Sequence, residues 1–451
     1  MSSFSKQRVR LGPVLALVFA VSSVLAAAQP VPVEISSSEE GLSLRFTAQS
    51  RVSYLVESST GLLDWEHQAT LRGDGPIIWS LPRAKMQDGR RFFRIAPFKA
   101  VGVDRLHRWP AYVDQGGRFS IGLFGDSYTH APLRYGRPLA EALSNEFGDL
   151  GPGFCGFGFT GTGSRNGAID PDQLSYRLSE SDWSSAYGFG FGPDACHITA
   201  LSPRAALTIT AGPGIEALRI HYVRSPGSGG FRYRVNQGLW RARPTGGENQ
   251  FASLDIGLPD NSGSTEVDLE AIFAGVTLLG AEAVVQGDGV VVHKLSVTGG
   301  RAEAFMTNQV SKDAVNALGL DMAVIFFGTN EHAGNRTPAS FENAVRNMIG
   351  GLREGSPDID IVLVLPPYTM FESEVATAFS LQAYGERLKK IAEDLNGAYV
   401  DFTQVFGPAT ELQYLIDVGL MRSDRVHPTT GEGSGGQLIA ETLGYEVLGL
   451  N

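Results

Sequence analysis

Over the first hundred positions, apolar residues come in short runs broken by Gly, Asp and Ser. Val31–Ile35, Leu42–Thr47, Ser53–Glu57, Ile77–Leu81 and Arg91–Ile95 read as strands, which predicts a small β-module over residues 30–98. Trp65 and Trp79 fall inside it. Aromatic rings dominate small cores, so core packing is expected of both ahead of a sugar-stacking surface. After a linker around Val101–Asp114 the rhythm changes. Phe119–Phe124 is a strand, and Pro132–Phe147 a helix with Leu139, Leu143 and Phe147 on one face. Much later come strand Met322–Phe327, helix Ser340–Arg353, strand Ile359–Leu365, helix Ala376–Asn396, strand Ala398–Phe402 and helix Gln437–Leu448. Such alternation predicts an α/β fold, a parallel sheet covered by helices on both faces.

The stretch between these two α/β portions has no helical period. Arg204–Thr210, Ala217–Arg224, Gly230–Asn236, Phe251–Ile256, Thr265–Phe273, Val276–Val285 and Val290–Val297 are strand-like and punctuated by turns. Their spacing predicts a β-sandwich over residues 164–289, inserted into an α/β domain made of residues 105–163 and 290–451. A length of 451 residues agrees with several domains, being too great for one core.

The N-terminus adds a location. Lys6, Arg8 and Arg10 precede an apolar run from Val14 to Leu25 that ends in Ala26-Ala27-Ala28. This is the pattern of a secretory signal peptide over residues 1–28, with an uncleaved anchor as the alternative. An exported protein with no membrane span after cleavage is therefore expected. A formal charge of −11 gives the chain little reason to seek nucleic acid. Export permits a disulfide between Cys155 and Cys196, and two free core thiols fit equally well. Neither cysteine has metal-ligand spacing, so no metal site is expected.

Three segments carry candidate chemistry. Gly125-Asp126-Ser127 directly follows the first predicted α/β strand, where open sheets place their ligands. Gly328-Thr329-Asn330-Glu331 follows another strand, and an Asn amide can donate to an oxyanion or cap the next turn. In Asp424-Arg425-Val426-His427, an Asp three residues before a His can hold Nδ1 of the ring and leave Nε2 free to take a serine proton.

Together, in this order, the segments resemble blocks I, III and V of the SGNH (GDSL-like) hydrolases. The resemblance spans about 119–159 and 290–448 and implies a flavodoxin-like α/β/α esterase domain without cofactor or metal. It assigns the nucleophile to Ser127, its partners to Asp424 and His427, and the oxyanion hole to Ser127, Asn330 and a block II glycine. Gly299 is placed in that last role because it follows a strand re-entering the α/β domain, with Gly151 or Gly153 as the alternative. Glu331 stands where many members carry Asp and is expected to accept hydrogen bonds behind the site. His130 and His332 are expected to be ordinary loop histidines, whereas Tyr128 and Phe154 suit an acyl pocket or the core.

The inserted β-domain is similar in placement to that of peptidoglycan O-acetylesterases and related polysaccharide deacetylases. The implied substrate is an O-acetylated polysaccharide or peptidoglycan, with Trp240 as a candidate for contact with a polymer. Two rival readings share these residues: a carbohydrate-binding protein with a vestigial hydrolase domain, and an O-acetyltransferase. Turnover of a chromogenic acetate ester separates the first, and products formed with an added sugar acceptor separate the second.

Overall fold

The computed structural model describes residues 17–18, 33–37, 41–49, 52–59, 66–82, 92–160, 164–259, 263–375 and 377–450. Apart from Leu17 and Val18, the expected signal peptide lies outside the described residues, as does Trp65. The chain divides into two compact units, residues 1–99 with 402–411 and residues 100–401 with 412–451.

The first unit holds two sheets, antiparallel except where Leu17–Val18 pairs parallel with Phe92–Phe93. Gly41–Ala48 lies between Glu34–Ser37 and Gly75–Pro82, and Tyr54–Ser59 lies between Glu66–Leu71 and Phe92–Pro97. Period-two alternation buries Leu42, Leu44, Phe46 and Ala48 on one face, where Val56, Phe93 and Ile95 meet them. Trp79 packs against this core, its ring 5.9 Å from that of Phe93. Glu66–Leu71 escaped the sequence reading because only Ala69 in it is buried.

In the second unit five parallel strands form one sheet: β1 (Arg118–Gly125), β2 (Gly289–Ser296), β3 (Met322–Phe326), β4 (Asp360–Leu365) and β5 (Ala398–Asp401). Their order, 2-1-3-4-5, is flavodoxin-like. Helices Gln309–Asn316, Pro338–Gly355 and Leu381–Asp394 cover one face, where Val345, Met348 and Leu388 pack on Phe124, Ile325 and Leu363. Arg108–Gln115, Gly136–Phe147 and Gly435–Glu446 cover the other. There Trp109, Tyr112, Phe119 and Phe147 form an aromatic cluster. The helix expected from Pro132 begins only at Gly136, after a turn.

Strand β1 pairs on both sides at its last residue. Gly125 lies opposite Ser296 of β2 and Phe326 of β3. The loops that follow all three strands therefore emerge side by side, at the point where the strand order reverses.

Two further antiparallel sheets occupy the middle of the chain. One runs Leu174–Leu178, Ala206–Ala211, Thr265–Ala271, Gly230–Val235, Arg241–Pro244. The other runs Trp183–Tyr187, Cys196–Ala200, Thr277–Val284, Ala217–Arg224, Gln250–Gly257, and Phe154–Gly156 joins it beside Thr277–Val284. The pairing thus reaches back beyond the expected boundary at 164, because Cys155 and Phe157 already belong to the sandwich core. Strand Gly289–Ser296, strand-like in sequence with its six predecessors, enters the parallel sheet as β2. The second of these sheets faces the α/β domain, with Val223 and Leu279 packed on Val310 and Ala314. Among the described residues no helix is long and apolar enough to cross a membrane.

Candidate active site

Ser127 opens a single helical turn, Ser127–His130, directly after β1. The backbone there is tight: a Cβ on Gly125 would lie 2.1 Å from Thr129 Oγ1. Asp126 caps the turn by accepting from the Tyr128 N–H at 2.9 Å. Buried Arg134 donates to the Ser127 carbonyl, and the Tyr128 hydroxyl donates to the carbonyl of Val426. That second bond ties the Ser127 turn to the loop carrying His427.

In that loop Arg425 adopts a left-handed conformation (φ 61°), which folds the next two N–H groups back onto Asp424. Asp424 Oδ1 accepts from Val426 N at 3.0 Å and His427 N at 2.9 Å, while Oδ2 lies 2.9 Å from His427 Nδ1. The other ring nitrogen, Nε2, lies 2.8 Å from Ser127 Oγ. Residues 300 positions apart are thus joined in one unbroken hydrogen-bonded line.

Residues 271–431 match the GDSL-like Lipase/Acylhydrolase family. Over that stretch the chain is similar to the GDSL-like lipases and acylhydrolases. The matched stretch contains Gly299, Asn330, Asp424 and His427 but not Ser127, which the fold brings to them. No curated protein matches the sequence significantly. Among solved structures, a peptidoglycan O-acetylesterase shares the fold with a TM-score of 0.60 and 16% identity, over 76% of this chain and 95% of its own. The salicylyl-acyltransferase SsfX3 aligns at 17% identity and TM-score 0.32, over 61% of this chain and 94% of its own. A family two carbohydrate esterase from Clostridium thermocellum, an active-site mutant, aligns at 13% identity and TM-score 0.27, over 60% and 98%.

The other candidate residues of the α/β domain lie around Ser127 as follows. The chain leaves β2 beside the Ser127 loop, Val297 N donating to Gly125 O at 3.3 Å, and Gly299 is exposed in the turn that follows. Gly151 and Gly153 instead run alongside the first half of β2, where a Cβ on Gly153 would meet Val292 O. Four residues of strand, about 13 Å, separate that level from Ser296. Asn330 Nδ2 donates to Asp126 Oδ2 at 2.9 Å and to Gly300 O at 3.0 Å, so both its hydrogens are engaged within the site. Glu331 accepts from Gly328 N and Ala302 N, fastening the loops after β2 and β3 to each other.

Burial governs the charges. It lowers the pKa of His427 below the ordinary value, the effect of Asp424 opposing it and those of Arg134 and Arg422 adding to it. At Asp424 burial favours the neutral acid, but hydrogen bonds from His427 and Val426 outweigh it and the pKa falls. Asp126 is fully enclosed and pushed up to about 7, despite its bonds to Tyr128 and Asn330 and the nearby Arg134. Glu331 rises to about 7 for the same reason.

Tyr128 and Phe154 are fully buried and fill the core. His332 Nε2 lies 3.0 Å from Thr377 Oγ1. Cys155 and Cys196 are both free and buried. Trp240 does not join the Ser127 cluster. It lies against Arg232 and Arg234, at 4.5 and 4.6 Å from its ring, just before strand Arg241–Pro244 at the end of the first of the two middle sheets. Among the described residues no group of three or more His, Cys, Asp or Glu converges as metal ligands would.

Sequence reasoning missed the contribution of hairpin Trp183–Tyr187/Cys196–Ala200, whose Tyr187 hydroxyl accepts from Thr298 N at 3.3 Å, next to Gly299. The only signal was a Gly-rich run, Gly188-Phe189-Gly190-Phe191-Gly192.

Proposed function

We propose that this protein is an exported serine esterase that removes O-acetyl groups from a carbohydrate polymer, peptidoglycan or another polysaccharide. The observation that carries the reading is the line Ser127 Oγ, His427 Nε2 and Nδ1, Asp424 Oδ2, with links of 2.8 and 2.9 Å. In the proposed reaction Ser127 Oγ attacks the ester carbonyl while its proton passes to His427 Nε2. The N–H groups of Ser127 and Gly299 and the Asn330 amide receive the developing negative charge. For this, Asn330 turns one hydrogen from Gly300 O or Asp126 toward the oxyanion. The tetrahedral adduct expels the sugar hydroxyl, which takes the proton from His427. Water, deprotonated by the same ring, then cleaves the acyl-serine to acetate and free Ser127.

Several features support the details. Asp424 holds the imidazole in the tautomer with Nε2 unprotonated, and burial keeps the ring neutral. The basic, apolar and small-residue order of positions 6–28 supports export. The carbohydrate substrate is supported by the placement of a β-domain within the SGNH domain. The test is acetate release by the purified protein from O-acetylated peptidoglycan and from acetylated xylan, beside 4-nitrophenyl acetate. Turnover of the small ester with no release from either glycan would refute the carbohydrate assignment alone.

A further inference from the structure

A hairpin of the middle domain, Trp183–Tyr187 with Cys196–Ala200, reaches the Ser127 site. Its first strand ends at Tyr187, whose hydroxyl accepts the Thr298 N–H and whose ring stands edge-on to that of His130, 6.3 Å away. A Cβ on the neighbouring Gly188 would lie 4.0 Å from Val297 Cγ2, of the residue after β2. One side chain thus touches the loop bearing Gly299 and the turn bearing Ser127.

The loop beyond Tyr187 is held rigidly. Gly188 N and Gly190 N both donate to Ala195 O, and Gly192 N donates to Cys196 O. A Cβ on Gly190 or Gly192 would lie 2.4 or 2.3 Å from the Cys196 backbone, so glycine alone permits this close return. Fully buried Asp194 accepts from Cys196 N and from Asn166 Nδ2, and Asn166 donates also to Ser296 O at the end of β2. Phe191 is fixed by stacking on His197 with rings 4.7 Å apart. Between these anchors Phe189 is left 75% exposed. Folding gains little from a ring so exposed, yet it lies two residues after Tyr187, which touches the Gly299 loop and the Ser127 turn.

We propose that Phe189 is a specificity-determining residue: a platform on which a pyranose ring of the acetylated glycan stacks, so that its acetyl group reaches Ser127. This rests on the esterase reading above. A pyranose has an apolar C–H face and a polar hydroxyl edge. An exposed phenyl ring takes the first and leaves the second in water. The short loop fixes the platform in advance, so little ordering is lost on binding. Small esters lack the sugar face and gain nothing from it. The inserted domain thereby acts at the site through this hairpin rather than through Trp240.

Kinetics of Phe189→Ala, Phe189→Trp and wild type on acetylated xylan, O-acetylated peptidoglycan and 4-nitrophenyl acetate provide the test. For Phe189→Ala, kcat/KM on at least one glycan should fall about tenfold more than on the small ester, as expected for one aromatic face left uncovered. Phe189→Trp should restore glycan turnover. Equal losses on all substrates would make the residue structural and overturn the proposal, and so would unchanged glycan turnover. If wild type releases no acetate from either glycan but cleaves the small ester, the carbohydrate reading fails, and the platform with it.

Discussion

Replacing Asp424 by Asn probes the line of hydrogen bonds with the least disturbance to the loop. Asp424 Oδ1 takes the N–H groups of Val426 and His427, and the Asn carbonyl can keep both. The new NH₂ then faces His427 Nδ1, where Oδ2 lay at 2.9 Å. Nδ1 must accept, so the ring proton moves to Nε2, which can no longer take one from Ser127. Returning to the productive tautomer breaks this neutral hydrogen bond and leaves two N–H donors facing each other, about 2 kcal/mol. The imidazolium formed during attack also loses a carboxylate roughly 4 Å away, worth about 4 kcal/mol at an effective dielectric constant near 20. The Asp424 side chain is 39% exposed. Solvent screening therefore reduces that second effect to about 2 kcal/mol. Together these cost about 4 kcal/mol, or roughly 10³-fold in kcat. KM should stay near wild type, because the loop is preserved. Initial rates on 4-nitrophenyl acetate measure both constants, and circular dichroism verifies the fold. Retention of half the wild-type kcat would refute the role assigned to Asp424.

Neutral His427 is the active form, so kcat/KM should be full above its pKa and fall as pH drops through it. The midpoint of this acid limb should lie below the ordinary histidine value of 6.5, and Arg422→Gln should move it upward; a limb unmoved or moved downward would contradict the cause given. Asn330→Ala should lower kcat by on the order of 10²-fold with little change in KM, and a rise in KM alone would make Asn330 a ground-state binder. Gly125→Ala should lower Tm, since its Cβ would lie 2.1 Å from Thr129 Oγ1 and 3.1 Å from Phe326 O. A cost of about 2 kcal/mol fits forced repacking at such contacts, and an unchanged Tm would show that the turn relaxes freely.

The parts of this architecture legible in sequence are those whose signals are local. Strand β4 and helix Pro338–Gly355 announce themselves through apolar runs or a stripe such as Phe341, Val345, Met348 and Leu352. Asp424 and His427 are three residues apart, so their pairing is a property of one loop. The distance from Ser127 to His427 is not local, and only the common polarity of parallel strands brings those loops to one edge. Strands Trp183–Tyr187 and Arg241–Pro244 were hidden because their burial patterns lack clean alternation. The place of Trp240 was illegible for a related reason: its ring lies against Arg232 and Arg234 of a paired strand, which turn-like sequence around Gly238 does not reveal. Phe189 was overlooked because nothing in a Gly-Phe-Gly-Phe-Gly run indicates which ring is buried.

The central claim is that Ser127 becomes acylated. Incubating the protein with a serine-reactive phosphonate and mapping its peptides by mass spectrometry reads this directly. A single adduct on Ser127 is predicted, absent from His427→Ala, together with a loss of ester hydrolysis of about 10³-fold or more in Ser127→Ala. An adduct on another residue, or more than a tenth of wild-type turnover in Ser127→Ala, would contradict the account.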